Sequence, residues 1–174
     1  PQQSLRESIK RVFRKTPKLS QAQVLTPFDV GASAEEWDIL LVDETHRLNQ
    51  RANQSSGVNN KRFSSINQDL FGADDLSKTQ LDWIRAKSRH QIFLLDAEQT
   101  VRPADLPLAT LRDILERAKA DNRAFHLMTQ MRVAAGSDYV AGIRGLLRGE
   151  PSTDALRELG EYDLRFFDDL GEMR

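Results

Sequence analysis

Leu5, Ile9, Val12 and Phe13 recur at helical spacing and put one apolar stripe on a helix that Pro17 ends. Ser4 and Glu7 have the spacing of a capping box at its start. The pattern then changes period. Ile39 to Val42 are apolar without polar alternation, which predicts a strand buried on both faces, as in a parallel sheet. "QIFLLDAEQ" and "AFHLMTQMR" repeat that style, and "DLRFF" reads as a last strand. Helical periodicity lies between these runs. Ser77 with Gln80 opens a helix carrying Leu81 and Ile84, with Trp83 partly buried beside them. Leu108, Leu111, Leu115 and Ala118 share a face of the next helix. Ser137 caps another through Val140, Ile143 and Leu147. "AQVLTPFDV" reads as a short extended piece broken by Pro27, and Ser33 with Glu36 as a second capping box opening a brief helical turn. Strands alternating with helices predict an α/β layered fold with a mainly parallel sheet.

One segment interrupts the alternation. Residues 49–76 are rich in Asn, Gln, Ser and Gly, and read as a polar insertion or mobile loop with a short helix near Phe63–Leu70. Its Arg51, Lys61 and Arg62, with Phe63 and Phe71, raise a nucleic-acid contact as one reading and a core-anchored surface loop as the other.

Composition narrows the class without naming a function. Apolar residues make up 39% of the 174 and charged residues 29%, as in soluble globular domains. No apolar run approaches the roughly 20 residues of a membrane helix. The absence of cysteine excludes disulfide scaffolds and thiolate metal sites and fits a reducing, cytoplasmic setting. Net charge is -1, so no global field draws in nucleic acid. The charge is nonetheless uneven. Arg6, Lys10, Arg11, Arg14, Lys15 and Lys18 face only Glu7 at one end, and acids outnumber arginines from Asp154 to Arg174.

The candidate chemistry lies at strand ends. In open α/β sheets, ligands bind beyond the carboxyl ends of the strands. The first run ends in Asp43-Glu44, the second in Asp96 with Glu98 and Gln99 beyond, and the third in Gln130 and Arg132. Parallel strands would bring all of these to one rim. Such a set suits phosphoryl transfer. Asp43 can hold Mg²⁺ through water, Glu44 can polarise the attacking water, Gln99 can orient it, and Arg132 can neutralise charge on the transferred group. The plainer alternative for Asp43-Glu44 is a helix N-terminus, where acids are favoured.

These residues also carry a resemblance. "ILLVDETHRL" resembles the Walker B, DEAH-type segment of superfamily one and two helicases. "FLLDAEQTVRP" resembles the helicase motif that follows, and "LMTQMRVAAGSDYV" the one after it. The combination, over about Trp37 to Leu147, is similar to a bacterial P-loop NTPase family of unknown function that looks like superfamily one helicases and relatives of the Schlafen helicase-like region. The resemblance implies a RecA-like fold and ATP binding with hydrolysis in the intact protein. It matches Asp43 to the magnesium-associated Asp and Glu44 to the catalytic Glu. His46 matches the motif histidine that links the site to neighbouring segments, Gln99 the sensor Gln, and Arg132 the phosphate-contacting Arg. Asp96, Arg102 and Gln130 fall on the same nucleotide-binding rim. Thr45 stands where Ala is usual, one small residue for another.

The sequence contains no G-x-x-x-x-G-K-[ST], the segment that cradles phosphates. The expectation is therefore a partial RecA-like domain over residues 1–174. Its P-loop strand would lie before Pro1 and a second RecA-like lobe downstream. Such a chain would bind ATP and Mg²⁺ weakly by itself. The competing expectation is a non-catalytic RecA-like module that binds a partner, nucleic acid among them, through the basic N-terminal helix and the polar segment. A metal-dependent hydrolase built on Asp43, Glu44, His46 and Asp96 fits less well, because the spacing is not H-E-x-x-H.

Overall fold

The computed structural model describes residues 3–52, 56–96, 99, 102–127, 143, 145, 148, 149, 167, 169, 171 and 172. The chain divides into two units, Pro1–Ala124 and Phe125–Arg174. In the second, the described residues include a turn in which the Gly171 N–H donates to the Asp169 carboxylate. Of the third expected strand, residues 124–127 are described and lie in no strand, while the rest of it, with Gln130 and Arg132, lies outside the described residues. Of the last expected strand only Phe167 is described, and it too is in no strand; of the helix expected after Ser137, Ile143 and Gly145 are described and are helical.

The first unit is mixed α/β. Helix α1 spans Gln3–Lys15, α2 Pro27–Ala32, α3 Gly57–Phe71, α4 Gln80–Ala86 and α5 Leu108–Ala120. Strand β1 spans Trp37–Val42 and β2 Ser88–Phe93. The two strands pair in parallel, with Ile39 opposite His90, Leu41 opposite Ile92 and Val42 opposite Phe93. The parallel pairing expected for the first two apolar runs is therefore present, in a sheet of two described strands.

The strands are not buried on both faces. Leu40, Val42 and Phe93 pack against the main core of Val30, Leu48, Leu81, Ile84, Leu106, Leu111 and Ile114. Ile39, Leu41 and Ile92 point the other way and are 56%, 65% and 46% exposed. The reason is period-two geometry: α2, α4 and α5 supply core on one face only, and alternate side chains miss it.

Other local expectations shift for identifiable reasons. Of the extended piece expected over "AQVLTPFDV", Val24 and Thr26 are extended and the chain turns helical at Pro27, which occupies the first turn of α2, where its missing N–H costs nothing. Thr26 and Asp29 form the capping box there, with the Thr26 N–H donating to Asp29 at 2.9 Å. Ser33 ends α2 rather than opening a turn of helix. The cap of α4 is Thr79 with Asp82, two residues beyond the Ser77–Gln80 pair. The polar stretch 49–76 holds a 15-residue helix, α3, where a short helix was expected, and α3 buries Phe63, Ile66 and Asn67. Gly72 closes α3 at φ 79°, a left-handed position glycine takes without strain.

A second core forms where α3 meets α4. Phe63, Ile66 and Trp83 are buried there, with Phe28, Leu70 and Phe71 around them. Trp83 is wholly buried, not partly. Its indole N–H donates to Asn67 Oδ1 at 2.8 Å, and Asn67 Nδ2 donates to the Asp75 carbonyl at 3.0 Å. Arg51 ties the end of the β1 loop to this core. Its Nε and one terminal nitrogen donate to the two Asp74 oxygens at 2.8 and 2.7 Å, and it donates also to Asn60. Such two-pronged pairing is the strong form of an ion pair.

The Arg51 hydrogen bonds hold the Asp74 carboxyl down to about 2, against burial, which pushes it up. A lowered carboxyl pKa stabilises the fold above the unfolded value of 3.8, and that contribution is lost as pH falls from 3.8 through about 2. Allowing for solvent screening, it is on the order of 1 kcal/mol. Urea unfolding of the wild type and Asp74→Asn should therefore differ most at neutral pH, with the gap closing toward pH 2. A gap independent of pH would remove the ion pair from this role.

Candidate functional site

Parallel pairing places the carboxyl ends of β1 and β2 side by side, and backbone bonds extend the junction beyond the strands. The Leu94 N–H donates to the Val42 carbonyl at 2.9 Å, and the Thr45 N–H to the Leu94 carbonyl at 2.8 Å. Asp43-Glu44 and Asp96 thus leave the sheet as neighbours. The chain turns sharply at Glu44, which sits at φ 51°, ψ 44°. A non-glycine residue in this left-handed region costs on the order of 1 kcal/mol, and such strain gathers at functional sites. The turn continues as a short 3-10 segment, Thr45–Arg47. Glu44 sits at the N-cap position of this segment, but its side chain makes no capping hydrogen bond.

Thr45 and His46 are buried at 0% and 2% exposure. Thr45 donates its hydroxyl to the Val42 carbonyl at 3.1 Å and stays within the turn. His46 bridges the two strand ends. Its Nδ1 accepts the Asp96 backbone N–H at 3.1 Å, so Nε2 carries the proton of the neutral ring. Nε2 lies 3.1 Å from Glu44 Oε2, within ion-pair range but not aligned as a hydrogen bond. Arg47 Nε donates to the same Oε2 at 3.3 Å. Glu44 is thereby held from two sides at one oxygen.

Gln99 Nε2 donates to Asp96 Oδ2 at 2.6 Å, which joins two of the expected site residues directly. Asp43 is half-buried at the end of β1. Arg102 stands on the same side of the fold, but its guanidinium meets Asp105 and the Arg47 carbonyl. Of the residues expected at the rim, Asp43, Glu44, His46, Asp96, Gln99 and Arg102 are thus gathered around the two strand ends, and Gln130 and Arg132 lie outside the described residues. Arg47, weighed from the sequence as a surface residue, is exposed and also touches Glu44. Sequence reasoning passed over Asp105, since nothing in a lone Asp among "RPADLP" signals burial.

The donor set can be tested against Mg²⁺ and ATP. Among the described residues no cluster of three or more His, Asp or Glu side chains could hold a metal. A magnesium ion that serves a nucleotide needs no such cage: one or two carboxylates suffice, with water and phosphate oxygens completing the shell. Asp43 beside Glu44 fits that role. The sequence has no Gly-rich segment leading to Lys-Ser or Lys-Thr, the pattern of a phosphate cradle. The residues fit the metal-and-water side of a nucleotide site and not the phosphate-gripping side. No helix among the described residues is long and apolar enough to cross a membrane.

No curated protein and no solved structure matches the chain significantly. A family model described as Schlafen group 3, DNA/RNA helicase domain matches residues 1–174. The match runs over the whole length, and the chain belongs to this family of helicase domains.

Proposed function

We propose that this chain carries the metal-and-water side of an ATP site in a RecA-like, helicase-like ATPase that acts on nucleic acid. The observation that carries this reading is the shared rim: parallel β1 and β2 deliver Asp43-Glu44 and the Asp96–Gln99 pair to one place, with His46 between them. Family membership supports the nucleic-acid part.

In this reading Asp43 holds Mg²⁺ through water. The ion, when bound, neutralises charge on the phosphates. Glu44 accepts a proton from the attacking water. Its contacts with His46 and Arg47 both fall on Oε2, which leaves Oε1 to face the water. Gln99 orients the same water and is itself aimed by Asp96. By the motif resemblance, Arg132 would neutralise charge on the transferred phosphoryl group and Gln130 would serve the same nucleotide. The phosphate cradle comes from a P-loop outside these residues, and a second RecA-like lobe closes the site.

The test is ATP turnover by the intact protein, with and without single-stranded or duplex nucleic acid. Turnover that rises with nucleic acid is expected. Salt-sensitive nucleic-acid binding with no turnover under any condition would favour the non-catalytic module, with basic α1 as its contact.

A further inference from the structure

Among the described residues of the first unit, Asp105 is the one buried acid: its side chain is 0% exposed. A carboxylate so far from water needs a cation and hydrogen bonds to stay charged. Arg102 supplies both. Its backbone N–H donates to Asp105 Oδ2 at 3.1 Å, and its guanidinium lies 2.5 Å from Oδ1. The same guanidinium donates to the Arg47 carbonyl at 3.3 Å. Arg47 is the residue whose side chain touches Glu44.

The surrounding backbone runs the same way. Asn49 and Asp105 form an antiparallel bridge. The Gln50 N–H donates to the Ala104 carbonyl at 2.9 Å, and Gln50 Nε2 to the Pro103 carbonyl at 2.7 Å. Leu106, next in the chain, is fully buried in the main core. The segment after Gln99 is therefore stitched onto the segment after Glu44, with the Arg102–Asp105 pair where the two meet.

We infer that Arg102 is a positioning residue and not a phosphate ligand: with Asp105 it clamps the loop after β2 to the turn after β1 and so sets the spacing of Glu44 and Gln99. This rests on the reading of Glu44 and Gln99 as the water-handling pair. Arginine suits the task because its fork can bind the carboxylate and the carbonyl together; a lysine ammonium has no such fork.

The test uses the intact protein with Arg102→Ala, Arg102→Lys, Asp105→Asn and the Arg102→Ala/Asp105→Asn double variant. Two readouts are taken: ATP kinetics, and hydrogen exchange at the Gln50 amide. A clamp predicts at least a tenfold fall in kcat for Arg102→Ala, with KM for ATP within about twofold. It predicts little rescue by Lys, a double variant no worse than the worse single one, and faster Gln50 exchange in each. Arg102 is half-exposed, so its variants should fold even if Asp105→Asn does not. A raised KM with kcat retained would make Arg102 a phosphate ligand and overturn the inference. Unchanged Gln50 exchange in Arg102→Ala would overturn it as well. A wild type with no ATP turnover would instead remove the proposed function, and the catalytic purpose of the clamp with it.

Discussion

Glu44→Gln in the intact protein is expected to lower ATP turnover by about 10²–10⁴-fold, the usual contribution of a placed general base. The substitution keeps the shape of the side chain and removes its ability to take a proton. Nucleotide affinity should change little, because the substitution leaves Asp43, the residue proposed to hold Mg²⁺, untouched. The geometry makes the test specific. Glu44 is fixed by a left-handed backbone, by His46 at 3.1 Å and by Arg47 at 3.3 Å, so the amide keeps the place of the acid. Measuring kcat and nucleotide affinity side by side checks the point. Turnover within a few-fold of wild type would take Glu44 out of the water-activating role. Lost affinity with turnover retained at saturation would move it to ground-state binding.

Trp83→Ala is expected to destabilise the first unit by about 3–5 kcal/mol, as for large aromatic side chains removed from cores. Trp83 is completely buried, 4.2 Å from the Phe63 ring and 5.5 Å from that of Phe28. Three helices meet on it. At Gly31 of α2 a Cβ would come within 2.8 Å of both Trp83 and Ile66, so α2 is already at its closest approach. The truncation also strips Asn67 Oδ1 of its buried donor, a further loss. A domain of this size has roughly 5–15 kcal/mol in total, so partial unfolding at ambient temperature is the expected outcome. Urea unfolding followed by circular dichroism measures it. Trp83→Phe should fall between the two, keeping most of the packing and losing the hydrogen bond. A loss below about 1 kcal/mol for the alanine variant would contradict the packing of α3 on α4.

The two predictions rest on parts of the chain that differ in how legible they were. The place of Glu44 just past a strand end was readable because it is written locally. An apolar run followed by Asp-Glu is a strand end bearing carboxylates whatever the rest of the fold does. The parallel relation of β1 and β2 followed from unbroken apolar runs separated by helical pattern. The Trp83 core was not readable in the same way. Residues 49–76 look like loop by composition, since Asn, Gln and Ser dominate. What makes 57–71 a helix is tertiary: Phe63 and Ile66 find Trp83, and Asn67 finds an indole N–H and a carbonyl. Propensity yields when burial and a satisfied buried amide outweigh it.

The same division holds for charge. The sequence determined which residues could do chemistry at the strand ends, and the family match spans the whole of it. It determined that no G-x-x-x-x-G-K-[ST] segment lies in these residues. Only the tertiary structure decided what each charge meets. Arg51 and Asp74 are 23 positions apart and form a two-pronged ion pair. Arg102 turns from the rim toward buried Asp105 and the Arg47 carbonyl. His46 spans 50 positions to the Asp96 amide. Such partners are chosen by the approach of distant segments, and the energy of a charge depends on the burial and geometry that this approach creates. Residue types are local information; the dielectric around them is not.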